Sequence, residues 1–170
     1  MPKHTKFKNI SGNFIETGSF KGDGIQLAIN SGFSNITSIE LSKHYIDICR
    51  DRFSGNDAVT LIHGDSYYEL ASLLKGNDLS YTYWLDGHHS GGLTACGVVN
   101  FPILQELETI LTRGVSGEVV YIDDMRILRD YNTDINIDTL MSLIEKYKVD
   151  YEVSYERTRR DRKDIMVLEY

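Results

Sequence analysis

Short apolar runs that each end at an acidic residue recur along the chain, and helical spacing fills the stretches between them. The first run is Asn13-Phe14-Ile15-Glu16-Thr17. The second, Ile36 to Leu41, carries Glu40 near its end. Val59 to His63 is followed at once by Gly64-Asp65-Ser66. Tyr81 to Leu85 ends at Asp86, and Val119 to Ile122 ends at Asp123-Asp124. Apolar residues recur with a period near 3.6 between these runs: Ile25, Ala28 and Ile29; then Tyr45, Ile48, Cys49 and Phe53 behind an N-capping Ser42; then Leu70, Leu73 and Leu74. Leu104, Leu107 and Leu111 follow a helix-opening Pro102, and Ile137, Leu140, Met141 and Ile144 mark the last helix. Strand alternating with helix predicts βαβ units and a mainly parallel sheet.

The chain closes differently. Tyr151 to Tyr155 and Ile165 to Leu168 read as strands joined only by the charged turn Arg157 to Lys163. That connection suffices for a hairpin and is too short for a parallel crossover. The expected sheet is therefore parallel with an antiparallel strand at one edge.

Length and charge narrow the class. A chain of 170 residues predicts one domain spanning 1–170. A net charge of −7 argues against nucleic acid as a partner. No apolar run approaches the roughly 18 residues of a membrane span. Met1 to Asn9 lacks the apolar stretch of a signal peptide. Cys49 and Cys96 form no disulfide framework and no CxxC pair, which points to a reducing compartment, the cytoplasm.

Ligands of open α/β sheets bind beyond the carboxyl ends of the strands. Glu16, Glu40, Asp65, Asp86, Asp123 and Asp124 are all expected on that rim. One such acid is explained as a cap or turn residue; acids at every parallel strand end are not. The first turn, Gly18-Ser19-Phe20-Lys21-Gly22-Asp23-Gly24, lets the backbone bend tightly and approach a ligand. It does not fill the GxGxxG pattern, which weakens a dinucleotide reading.

Glu16 to Gly24, Ser38 to Ser42 and His63 to Ser66 together resemble the cofactor half of the class I S-adenosylmethionine-dependent methyltransferases. The resemblance runs from about Phe14 to Leu168. It implies a Rossmann-like three-layer α/β sandwich with strand order 3-2-1-4-5-7-6 and strand 7 antiparallel. It also implies S-adenosyl-L-methionine as cofactor, held by Glu16, Thr17, Gly18, Gly22 and Gly24 under its methionine part. Glu40 and Leu41 fall at the ribose, Asp65 and Ser66 at the adenine, and Asp86 also touches the cofactor. The departure is the glycine spacing, which differs from ExGxGxG.

Trp84 to Gly92, Pro102 to Leu107 and Tyr121 to Arg126 are similar to small bacterial and viral methyltransferase-like proteins and to macrocin-type sugar O-methyltransferases. The similarity to the macrocin type implies a divalent metal, Mg²⁺ or another, on Asp86, Asp123 and Asp124. Oxygen ligands suit such an ion, and it would lower the pKa of a bound hydroxyl. The competing explanation is that Asp123 and Asp124 cap their loop and pair with Arg126 or Arg129. His88 and His89, beside Asp86, are candidates with it for taking the acceptor's proton.

The implied reaction is O-methylation of a sugar or other small hydroxylated acceptor. A methyltransferase-like module that binds without catalysing, and a nucleotide- or NAD-binding Rossmann domain, are the alternatives. The basic run Arg157 to Lys163 reads as a solvated hairpin tip, the alternative being a patch for a phosphorylated or polymeric acceptor. So short a chain leaves little for a substrate cap, and a partner copy in a homo-oligomer would be one way to complete the pocket.

Overall fold

A computed structural model describes residues 6–87, 97–99, 101–130, 135–147 and 150–169. The elements are β1 (Asn13–Thr17), α1 (Asp23–Asn30), β2 (Asn35–Glu40), α2 (Lys43–Arg52), β3 (Val59–His63), α3 (Ser66–Leu74) and β4 (Thr82–Leu85). They continue with α4 (Ile103–Leu111), β5 (Val119–Ile122), α5 (Met125–Asp130), α6 (Ile137–Lys146), β6 (Glu152–Glu156) and β7 (Ile165–Glu169). The strands form one sheet in the order β3-β2-β1-β4-β5-β7-β6. The first five pair in parallel, and β7 runs antiparallel to both β5 and β6. The antiparallel strand is thus one in from the edge, which β6 occupies. The β6–β7 hairpin reverses the chain once before it meets β5, so the strand returning from the hairpin is the one that docks.

Both faces of the sheet are covered, because successive strand residues point to opposite sides. Ile15, Tyr83, Leu85, Val120, Ile122, Met166 and Leu168 pack into a core with α3, α4, α5 and α6. Phe14, Trp84, Tyr121 and Val167 face the other way, against α1, α2 and the ring of Phe7. Phe7 sits 4.9 Å from Phe14, 5.2 Å from Trp84 and 5.3 Å from Tyr121 between ring centres, so it packs against three strands on this face of the sheet.

Two helices keep most of the expected apolar face and differ at its edge. In α2, Tyr45, Ile46 and Cys49 are buried and Ile48 is only half-buried. In α4 the buried set is Ile103, Glu106, Leu107, Ile110 and Leu111, and Leu104 packs only at the margin. The true stripe follows i, i+3, i+4, i+7, i+8 from Ile103 and includes a glutamate. The short α5 was not legible in the sequence. Its entry is held by the Met125 N–H donating to the Asp164 carbonyl at 2.8 Å, a contact 39 residues away along the chain by number.

The amino ends of β4 and β5 hold a buried ion pair. Arg113 reaches Glu118 at 2.5 Å, with side chains 8% and 0% exposed. The Tyr83 hydroxyl donates to the same Glu118 oxygen at 2.9 Å, and Arg113 also donates to the carbonyls of Asn77 and Leu79. This network lies at the end of the sheet away from the carboxylate rim.

Candidate functional site

Register brings the acids level. Thr17 pairs with Ile39 and with Leu85, and Leu85 pairs with Ile122. The next residues along are Gly18, Glu40, Asp86 and Asp123, so a parallel sheet presents them on one rim. There they line a cavity of about 460 Å³ together with Glu16, Asp65 and Asp124. Small-molecule sites occupy roughly 300–1,000 Å³.

The glycine turn is built by close approach. Gly18 has φ +81°, and a Cβ there would lie 2.3 Å from the Asp86 carbonyl oxygen. A Cβ on Gly24 would lie 1.8 Å from Glu16 Oε1. Gly22 begins α1 in the left-handed region and faces Phe53 and Cys49 rather than the cavity. Arg52 clamps the turn by donating to the Lys21 carbonyl at 2.5 Å and to Asp23 Oδ1 at 2.9 Å. The arginine and its hydrogen bonds hold the Asp23 carboxyl below the usual range.

Glu16 is 1% exposed. Ser38 Oγ donates to its Oε2 at 2.5 Å, so Ser19 Oγ, 2.5 Å from Ser38, donates in turn to Ser38. Burial pushes the Glu16 carboxyl up to about 8 against the pull of that hydrogen bond, and the charges of Asp86 and Glu40 add to the rise. Glu40 accepts the Phe20 N–H at 2.9 Å and the Ser42 N–H at 2.7 Å. These bonds fix its carboxylate at the cavity wall and leave lone pairs for further donors. Burial raises its pKa, and the Ser42 and Phe20 amides oppose that rise. Ser42 precedes α2 as expected but makes no side-chain cap bond; its amide goes to Glu40 instead.

Asp65 has a structural task. Oδ1 accepts the Tyr67 N–H at 3.0 Å as the cap of α3, and Oδ2 accepts the Val98 N–H at 2.9 Å. Of the residues expected at a cofactor, Glu16, Gly18, Gly24, Glu40, Leu41, Asp65, Ser66 and Asp86 line the cavity. Thr17 and Gly22 do not. Thr17 is fully buried and its hydroxyl lies under Gly87 beside Glu106.

At the other end, Asp86, Asp123 and Asp124 each place a carboxylate oxygen within 4.8 Å of the others. The Asp124 N–H donates to Asp123 Oδ1 at 2.7 Å. Asp124 adopts φ 56°, a left-handed conformation that Asp tolerates better than most residues. Arg126 holds Asp124 at 2.5 Å and the buried Asp164 at 2.7 Å. The expected Arg126 pairing is therefore present for Asp124, whereas Arg129 pairs with Asp161 at 2.7 Å. Three hard oxygen donors at this separation fit an oxygen-preferring divalent cation. Arg126 offsets one of the charges. His88 and His89 lie outside the described residues, as does Cys96. Burial pushes the Cys49 thiol up to about 12, away from the thiolate form.

Four contributors escaped the sequence reading. Phe20 has φ 46°, is 46% exposed, and packs 4.4 Å from Tyr45 between ring centres; both line the cavity. Glu106 is 1% exposed beneath Gly87, and neither of its carboxyl oxygens has a well-formed hydrogen bond. Burial raises it to about 7, and the nearby Ser66 and Thr17 hydroxyls pull it back. Its spacing with Ile103 and Ile110 was the available signal. Arg160 lines the cavity. It belongs to the basic run that reads as a solvated tip, with an acceptor patch as the alternative, and the run does not single it out from its neighbours.

No family model and no curated protein matches the chain in sequence. Solved structures do match in fold. The O-methyltransferase from Bacillus cereus in complex with S-adenosylhomocysteine superposes with a TM-score of 0.66 at 12% identity, covering 94% of this chain and 74% of that one. The O-methyltransferase TomG from Streptomyces achromogenes, in complex with S-adenosylmethionine, gives 0.64 at 12% identity, covering 94% and 73%. The [4+2]-cyclase SpnF gives 0.56 at 15% identity, covering 92% and 58%. The chain therefore has the fold of the class I S-adenosylmethionine-dependent methyltransferases.

Proposed function

We propose that the chain is an S-adenosylmethionine-dependent methyltransferase acting on a hydroxyl of a small acceptor, a sugar among the candidates. The observation that carries this reading is the single cavity into which β1, β2, β4 and β5 and the turn after β3 all deliver carboxylates beside a glycine turn. Bound there, S-adenosylmethionine would supply a methyl already activated on sulfur.

The chain's own residues then have three tasks. Glu40, oriented by the Phe20 and Ser42 amides, would accept from a ribose diol, with Phe20, Tyr45 and Leu41 walling that end from water. Glu16 and the backbone around Gly18 would face the methionine part, and Asp65 with Ser66 the adenine. Asp86, with His88 or His89, would take the proton from the acceptor oxygen as it is methylated. Asp86, Asp123 and Asp124 would hold a divalent cation, whose chemistry is to acidify a bound hydroxyl.

The dinucleotide alternative is disfavoured by β7. Dinucleotide-binding sheets follow the order 3-2-1-4-5-6 without an antiparallel strand between the last two. The fold alone does not fix methyl transfer, because it also serves a cyclase. Calorimetry and turnover separate the readings. The proposal expects heat from S-adenosylhomocysteine, none from NAD, and label transferred from S-adenosylmethionine to a hydroxylated acceptor. Binding of NAD instead would overturn it, and ligand binding without transfer across a broad acceptor panel would select the binding module.

A further inference from the structure

We propose that Arg160, at the tip of the β6–β7 hairpin, is a specificity-determining residue that binds an anionic group, carboxylate or phosphate, on the molecule entering the cavity. The inference rests on the methyl-transfer reading for calling that molecule the acceptor; the anion site itself does not depend on it.

Arg160 is the one cation among the described residues that line the cavity, and every other charged lining residue there is acidic. Its guanidinium makes no ion pair among the described residues, although Arg126 and Arg129 close by both do. An exposed guanidinium left open beside carboxylates is not serving to neutralise them. Arg126 already does so for Asp124.

The tip is also held in place. The Arg160 N–H donates to Thr158 Oγ1 at 3.1 Å, and that hydroxyl donates to Asp164 Oδ2 at 2.6 Å. Asp164 is fully buried and accepts Arg126, which in turn holds Asp124. Thr158 is itself 5% exposed. A continuous chain of hydrogen bonds thus links the backbone of Arg160 to the acidic triad, which reduces the ordering cost of using its side chain.

Position assigns the group it would meet. β7 neighbours β5, so the tip enters beside Asp123 and Asp124, on the opposite side of β1 from Glu40 and Asp65. The end of the cavity proposed for the nucleoside is therefore the one away from Arg160. An acidic cavity repels an anion, so a planar guanidinium fork in its wall gives one carboxylate or phosphate a bidentate seat.

The test titrates inorganic phosphate, and separately acetate, into the full chain by calorimetry at low ionic strength, with and without S-adenosylhomocysteine. The expected result is saturable binding of one of these anions, weakened about tenfold in Arg160→Gln and unchanged in Arg159→Gln. Phosphate or acetate as the winner identifies the anionic class. Absence of saturable binding by both, or equal binding in Arg160→Gln and wild type, would overturn the inference. If S-adenosylhomocysteine gives no heat while the anion site behaves as expected, the methyl-transfer reading fails and the anion site stands. Circular dichroism of each variant confirms folding.

Discussion

Two glutamates carry raised pKa values at the residue scale. Glu16 and Glu106 are both buried, and burial raises them from 4.5 to about 8 and to about 7. A folded-state pKa above the unfolded one means the folded chain keeps a proton that the unfolded chain has lost. The stabilisation is complete below 4.5 and is lost as pH rises through about 7 for Glu106 and about 8 for Glu16. The ligand-free protein should therefore melt at falling temperature across that window, and Glu106→Gln should flatten the fall. A melting temperature that rises from pH 5 to pH 8 in buffers of matched ionic strength would contradict both shifts. The glycines make a second prediction. Gly18→Ala places a Cβ 2.3 Å from a backbone oxygen, whereas Gly55, also at positive φ, has nothing within 4 Å. Gly55→Ala should cost about 1 kcal/mol from conformation alone, and Gly18→Ala should cost more, about 3 kcal/mol, and weaken cofactor binding. Denaturant melts with calorimetry on the same preparations decide it.

At the scale of elements, stability and site are separated along the strands. The Arg113–Glu118 pair braces the amino ends of β4 and β5, and the carboxylates occupy the other ends. Arg113→Met would leave Glu118 buried without its partner, at a cost of about 3–5 kcal/mol. Protein that still folds should bind S-adenosylhomocysteine as wild type does. A variant that keeps its stability but loses ligand affinity would contradict the division. The elements also show what a sequence discloses. Strand ends were legible because Glu16, Glu40, Asp86 and Asp123 sit at the end of β-branched and aromatic runs, and both signals are local. The faces of α2 and α4 were legible except at their edges, because Ile46 and Glu106 are decided by what packs against them. Arg160 was hidden for a stronger reason. Its place at the cavity follows from β7 pairing with β5 and from the Thr158–Asp164–Arg126 bonds, contacts between segments far apart in the chain.

The whole molecule is a seven-stranded sheet with one rim given to acids. Its match covers 94% of this chain and 74% of the Bacillus cereus enzyme. Arg160 of the β6–β7 tip lines the same cavity as the acids. The rim's acidity also predicts cation binding. Mg²⁺ or Mn²⁺ titrated into the wild type should bind at one site, and Asp123→Asn should abolish it. Absence of binding by Mg²⁺, Mn²⁺ and Ca²⁺ would remove the metal from the account and leave the proton transfer to Asp86 and its neighbours. The central claim is that this cavity holds S-adenosylmethionine with Glu40 at its ribose. Calorimetric titration of S-adenosylhomocysteine into wild type and Glu40→Ala tests it most directly. The account predicts saturable one-site binding weakened by about tenfold or more in the variant. Equal affinity in the two proteins, or no binding to either, would contradict it.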